Sequence, residues 1–164
     1  MQHETFCERF VRATSQRSDK LAMMLLRPDG AETTTFGTML SQVRSLAYRL
    51  GLEGIALGDR VAIIGENHPN WAIAYLGIMY RGAVVVPLDP SVPAEALSNF
   101  LENSDTKLAF VSQPNLEKFS AVCQQVGRHI RTVNLQPLDY SDSHPDLAEW
   151  SQTQIGRASC RERV

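Results

Sequence analysis

Gly58-Asp-Arg-Val-Ala-Ile-Ile64, then Gly65-Glu-Asn-His-Pro-Asn-Trp71, then Tyr80-Arg-Gly-Ala-Val-Val-Val-Pro-Leu-Asp-Pro90 is the stretch that decides the fold. Arg60–Ile64 is an apolar run without alternation, as in a strand buried on both faces. Asn67 or His68 can cap a helix, and Pro69 suits its first position, where the missing N–H would have no partner anyway. Gly82 can take the left-handed conformation that ends a helix, so the spacing predicts a helix over 69–81. Ala83-Val-Val-Val86 then reads as the next buried strand, stopped by Pro87.

The same alternation continues downstream. Pro93 opens a helix to Asn103 with Leu97, Phe100 and Leu101 on one face. Lys107–Ser112 reads as a strand, Asn115–Gly127 as a helix and Ile130–Leu135 as a strand. Residues 60–135 thus read β-α-β-α-β-α-β, which requires a parallel sheet joined by right-handed crossovers. Upstream, Glu4–Arg17 carries Phe6, Phe10 and Ala13 at helical spacing. Leu21–Leu26 and Thr33–Phe36 flank the turn Pro28-Asp29-Gly30 and read as a β-hairpin. Gly37–Leu52 places Leu40, Val43, Ala47 and Leu50 on one helical face. The fold class expected is α/β: a mostly parallel sheet flanked by helices, preceded by an N-terminal β-hairpin.

Two segments fall outside this pattern. Residues 136–154 hold Pro137, Asp139, Asp142, Pro145 and Asp146, and read as a polar loop or linker. Ile155-Gly-Arg-Ala-Ser-Cys-Arg-Glu-Arg-Val164 has no apolar period, cap or turn logic. Back-translated, it resembles a common sequencing adapter read in frame, so 155–164 is expected to be a non-native tail, excluded from fold reasoning. The domain is then expected to occupy 1–154, with the natural protein continuing beyond Gln154. That tail carries Arg157, Arg161 and Arg163 against Glu162, so the rest is more acidic than the net charge of -2 indicates.

Composition narrows the classes of function. Hydrophobic residues make up 43% and charged residues 21%, a globular balance. No basic face with interleaved aromatics speaks for a nucleic-acid partner. Met1–Phe10 lacks the apolar run of a signal peptide, and no apolar stretch reaches membrane-spanning length. Cys7, Cys123 and Cys160 show no pairing pattern, which fits a reducing compartment, and Cys7 and Cys123 are expected to be ordinary core or boundary thiols. A cytoplasmic location is expected.

Chemistry-bearing patterns are sparse. Neither a Gly-x-Gly-x-x-Gly turn nor a Walker loop is present. His3, His68, His129 and His144 are scattered, without metal-ligand spacing. No Gly-x-Ser-x-Gly elbow or Ser/His/Asp arrangement occurs. His68 and Asp89 sit where open α/β sheets bind ligands, at or just beyond the carboxyl ends of strands. His68 reads first as a cap or surface group. Asp89 reads first as a turn residue bonding the backbone near Ser91, and Glu66 as a solvated loop carboxylate. Trp71 reads first as a helix-to-sheet packing anchor.

Taken in order, Gly58-Asp-Arg-Val61, Glu66-Asn67 with Trp71 opening a helix, and Gly82-Ala83 leading into Val86-Pro-Leu-Asp-Pro90 resemble the N-terminal region of the adenylate-forming (AMP-binding) enzymes. These include acyl-CoA synthetases, luciferases and peptide-synthetase adenylation domains. Thr35-Phe-Gly-Thr-Met-Leu40 resembles the family's Thr-Tyr-x-Glu-Leu segment, departing from it at Thr38 and Met39. Arg81 stands where the family often has Ala. The resemblance spans about residues 4 to 135.

It implies an ATP-dependent ligase that makes an acyl-adenylate from a carboxylic acid, fatty or aryl, and passes the acyl group to a thiol, usually coenzyme A, with Mg²⁺ on the phosphates. The family's Gly-rich Pro-Lys-Gly loop, adenine-site motif, ribose-binding Asp and catalytic Lys find no match here. No catalytic, cofactor-binding or metal residue is therefore assigned, and the chain by itself is expected to be inactive. The alternative is a free-standing α/β binding or interaction module.

Overall fold

The computed structural model describes residues 4–135. The expected linker at 136–154 and tail at 155–164 lie outside them. The chain runs α1 (Phe6–Ser15), β1 (Leu21–Arg27), β2 (Gly30–Thr35), α2 (Phe36–Leu52), β3 (Arg60–Ile64), α3 (Pro69–Arg81), β4 (Val84–Leu88), α4 (Ala94–Asn103), β5 (Thr106–Val111), α5 (Leu116–Gln125) and β6 (Arg131–Asn134). A 3₁₀ turn over Gln113–Asn115 leads into α5. β1 and β2 form an antiparallel hairpin, and the other four strands form a parallel sheet in the order β4-β3-β5-β6.

Alternate residues of the central strands feed two cores. Val61, Ile63, Leu108 and Phe110 pack with α2 and α3. Ala62, Ile64, Ala109 and Val111 pack with α4 and α5. All eight are at most 1% exposed, and each fully buried Ile, Leu, Val or Phe side chain contributes about 1.5–3 kcal/mol. This two-sided burial is why β3 shows no polar alternation. The helices divide as right-handed crossovers demand: the connection from β3 out to β4 runs one way and carries α3, whereas those toward β5 and β6 run the other way and carry α4 and α5 on the opposite face.

Local chemistry sets the helix ends. Thr35 caps α2, its Oγ1 accepting from the N–H of Thr38 at 3.2 Å and lying 3.1 Å from the Thr38 hydroxyl. Phe36 therefore opens the helix rather than closing the hairpin, and Thr38 supplies a polar side chain at the position where a capping box carries Glu. His68 caps α3 and Gly82 ends it at φ 81°.

β4 differs from expectation in two ways. It runs through Pro87 to Leu88, and it is not buried, Val84 being 44% exposed. β4 is an edge strand with a neighbour on one side only. The Val84 N–H donates to Asp59 O at 2.8 Å, so Val84, Val86 and Leu88 turn their backbone groups toward β3. Val85 and Pro87 alternate outward. Proline is tolerated there because its missing N–H would face the open edge, where it also blunts pairing with another chain.

Candidate functional site

The strand order creates one topological switch point. β3 connects outward through α3 to β4, and its neighbour β5 connects the other way through α5 to β6. Ligands of open α/β sheets bind at the carboxyl ends of two such strands. Here those ends carry Gly65 and Glu66 after β3, and Ser112 and Asn115 after β5.

The crevice between them is filled by the chain itself. Leu135 is 0% exposed, and a Cβ placed on Gly65 would lie 2.7 Å from its Cδ2 and 3.1 Å from the Ser112 Cβ. Only glycine fits that point without moving a neighbour. The Leu135 backbone is held twice: its N–H donates to Val111 O at 2.9 Å, and its O accepts from Asn70 Nδ2 at 2.9 Å. Above this plug, Asn115 Nδ2 donates to Glu66 Oε1 at 3.0 Å and to Ser112 Oγ at 2.9 Å. Ser112 and Asn115 are buried, whereas Glu66 is exposed. The Glu66 carboxyl is held below the usual range by hydrogen bonds from its own amide, from Ser112 and from Asn115, against a smaller opposing effect of desolvation.

Each residue weighed from sequence has a definite place. His68 Nδ1 accepts from the Asn70 N–H at 3.1 Å, so the ring is a helix cap. Burial lowers its pKa, and the charge of Arg27 on the hairpin adds to this while Glu32 opposes it. Asp89 accepts from the Ser91 N–H at 2.7 Å and the Ser91 hydroxyl at 2.5 Å, as a turn residue does; those bonds lower its pKa. Trp71 stacks on Tyr75 with centroids 5.4 Å apart and packs against the core of α2 and α3. Glu66 is the departure: it is no freely solvated carboxylate but the exposed end of a network rooted in buried Ser112 and Asn115. Those two were not singled out in the sequence, because a serine and an asparagine near a 3₁₀ turn carry no spacing signal. Cys7 is half-buried and Cys123 lies in the core of α4 and α5, where burial raises its pKa.

The Gly58-Asp-Arg segment sits at the opposite, amino edge. Asp59 pairs with Lys107 at 2.8 Å and accepts from the Ala56 N–H at 2.7 Å. Arg60 donates to Ser104 O at 2.8 Å and pairs with Asp105 at 3.2 Å. These are clamps between strand starts, and they face away from the switch point. Arg81 is likewise structural, its Nε donating to Ile55 O at 2.8 Å. Among the described residues no three His, Cys, Asp or Glu gather as a metal site, and no helix is long and apolar enough to cross a membrane.

A family model described as AMP-binding enzyme matches residues 10–159. The chain belongs to the AMP-binding enzyme family. Within this family it is 28% identical over 158 residues to a long-chain-fatty-acid–CoA ligase of Drosophila melanogaster, covering 92% of this chain and 23% of the ligase. It is 32% identical over 92 residues to a component of the linear gramicidin synthase of Brevibacillus parabrevis, covering 56% of this chain and 1% of that protein. The luciferase-like enzyme of the Zophobas morio mealworm shares the fold, with a TM-score of 0.73 at 20% identity over 89% of this chain and 34% of that one. The chain thus spans about a quarter or less of the length of these curated relatives. The parallel sheet with its N-terminal hairpin is the fold expected from sequence, and the AMP-binding family is the one the sequence resembles.

Proposed function

We propose that this chain is the N-terminal part of an ATP-dependent ligase that activates a carboxylic acid as its adenylate and then forms a thioester, with coenzyme A as the acceptor. The observation that carries this reading is the family match over residues 10–159, which makes the switch-point sheet part of an adenylate-forming domain. ATP, Mg²⁺ and coenzyme A are the cofactors of the full-length protein in this reading. A fatty or aryl acid is its substrate, and the cytoplasm its location. Residues 1–154 are the native part, and 155–164 a foreign tail.

In this reading no residue of this chain is assigned to ATP. Leu135 and Ser112 close over Gly65 at the switch point, and phosphoryl chemistry needs donors aimed at the phosphates. No step of the reaction is therefore assigned to a residue of this chain, and the 164-residue chain alone is inactive.

Isotope exchange between pyrophosphate and ATP tests the reading, run on this chain and on the full-length gene product over a panel of fatty and aryl acids. Exchange is expected from the full-length protein with one class of acid and none from the chain alone. Exchange by the isolated chain would place the chemistry within it; a natural stop codon after Gln154 would return the free-standing module.

A further inference from the structure

The turn from α5 to β6 carries a cation that nothing among the described residues neutralises. α5 is closed by Gly127, whose φ of 64° is left-handed. The last carbonyls of the helix are already answered by the backbone: Cys123 O accepts from the Arg128 N–H at 3.0 Å, and Gln124 O from the Gly127 N–H at 3.2 Å. The half-buried Arg128 side chain is therefore not needed as a helix cap. Arg60, Arg81 and Arg131 each hold a carbonyl or a carboxylate, whereas the Arg128 guanidinium has neither among the described residues.

That side chain lines a cavity of about 390 Å³ between α5 and the first residues of β6. Ser120, Gln124 and His129 flank it with polar groups, Cys123 and Ile130 give a buried floor, and no described carboxylate shares the lining. Burial raises the Cys123 thiol and the Arg128 charge opposes this, so the charge reaches the floor of the cavity. The volume falls within the range of about 300–1,000 Å³ usual for small-molecule sites.

We propose that this cavity binds a small organic anion, a carboxylate or a phosphate monoester, with its oxygens on Arg128 and its apolar body against Ile130 and Cys123. A guanidinium presents a rigid fork of N–H donors that matches either group. The site lies at the amino edge of the sheet, away from the switch point, and stands apart from the ligase reading.

Two-dimensional ¹⁵N NMR of the 164-residue chain tests this with probes of similar shape: benzoate, phenyl phosphate and uncharged benzyl alcohol, each against potassium chloride at matched ionic strength. The expected result is saturable shifts at Gly127–Ile130 and Cys123 with benzoate or phenyl phosphate, at a Kd on the order of 1 mM, and none with benzyl alcohol. Which acid binds separates carboxylate from phosphate. Arg128→Met should weaken binding by at least about tenfold while its thermal melt stays put. No saturable shift with either acid would overturn the proposal, as would an equal response to benzyl alcohol, shifts confined to the carboxyl edge, or wild-type affinity in Arg128→Met. Should that variant not fold, the Arg128 Nε–H resonance of wild type decides, and one that ignores the bound acid overturns the proposal as well. A full-length protein silent in pyrophosphate exchange would sink the ligase reading and leave this site standing.

Discussion

The two edges of the parallel sheet are built from different chemistry. At the amino edge ion pairs join the strand starts, Asp59 with Lys107 and Arg60 with Asp105, and tie the end of α2 to β6 through Glu53 and Arg131. Their basic side chains are 40% to 64% exposed, so water and salt screen them. At the carboxyl edge the loops are joined by hydrogen bonds through buried groups, Ser112, Asn115 and the Leu135 backbone, beneath one exposed carboxylate. The amino edge is made to tolerate solvent; the carboxyl edge is made to hold one geometry.

The contrast predicts a ranking of damage. Leu135→Ala should cost most, about 3 kcal/mol, because the side chain is wholly buried and its loss leaves a cavity over Gly65. Urea denaturation of both proteins measures this, and a loss below about 1 kcal/mol would mean that the plug is dispensable. Asn115→Ala should follow at about 1–2 kcal/mol, since it leaves buried Ser112 without the donor it accepts from.

His68 links the carboxyl edge to pH. Its Nδ1 serves as an acceptor, so protonation breaks the cap and sets a positive charge at the start of α3, where the helix dipole opposes it. The folded state binds this proton less readily than the unfolded chain, whose histidine titrates near 6.5. Stability from this residue is therefore complete above about pH 6.5 and is lost as pH falls through the lowered folded value. His68→Asn keeps a capping side chain without a titrating group. Wild type should lose up to about 1 kcal/mol more than this variant between about pH 7.5 and pH 5, by parallel denaturation curves. Equal losses would mean that the cap does not depend on protonation.

The smallest effect belongs to the amino edge. Lys107→Met should cost about 0.5 kcal/mol at low salt and less as salt rises, because Lys107 is half exposed. A loss as large as that of Asn115→Ala would erase the distinction between the edges. The Asp59 carboxyl is held low chiefly by its hydrogen bond with Lys107, so this contribution persists down to acid pH and goes as pH falls through the lowered Asp59 value.

Most elements were legible in the residues because local and global signals agree there. Pro69 and Gly82 delimit α3, and the unbroken apolar run of β3 already announces burial on both faces. Signals failed where one residue type serves two purposes. Pro87 reads as a stop, yet an edge strand accommodates it because the missing N–H points to the open side. Phe36 reads as a strand residue, yet the cap formed by Thr35 and Thr38 carries it into α2. Val84–Val86 reads as buried, yet strand order leaves β4 at the edge.

For the site, the separation is sharper. Residue types and their order along the chain determined the α/β class, the crossover pattern and the resemblance to adenylate-forming enzymes, since periodicity and turn chemistry act over a few residues and are written locally. Which strands are neighbours, and hence where the switch point falls, came only from the tertiary structure. The order β4-β3-β5-β6 brings Glu66 beside Asn115, 49 positions apart in the chain, and Gly65 beneath Leu135. Such contacts depend on how two helix layers bury the two faces of one sheet, a balance summed over the whole core that no short stretch of sequence contains.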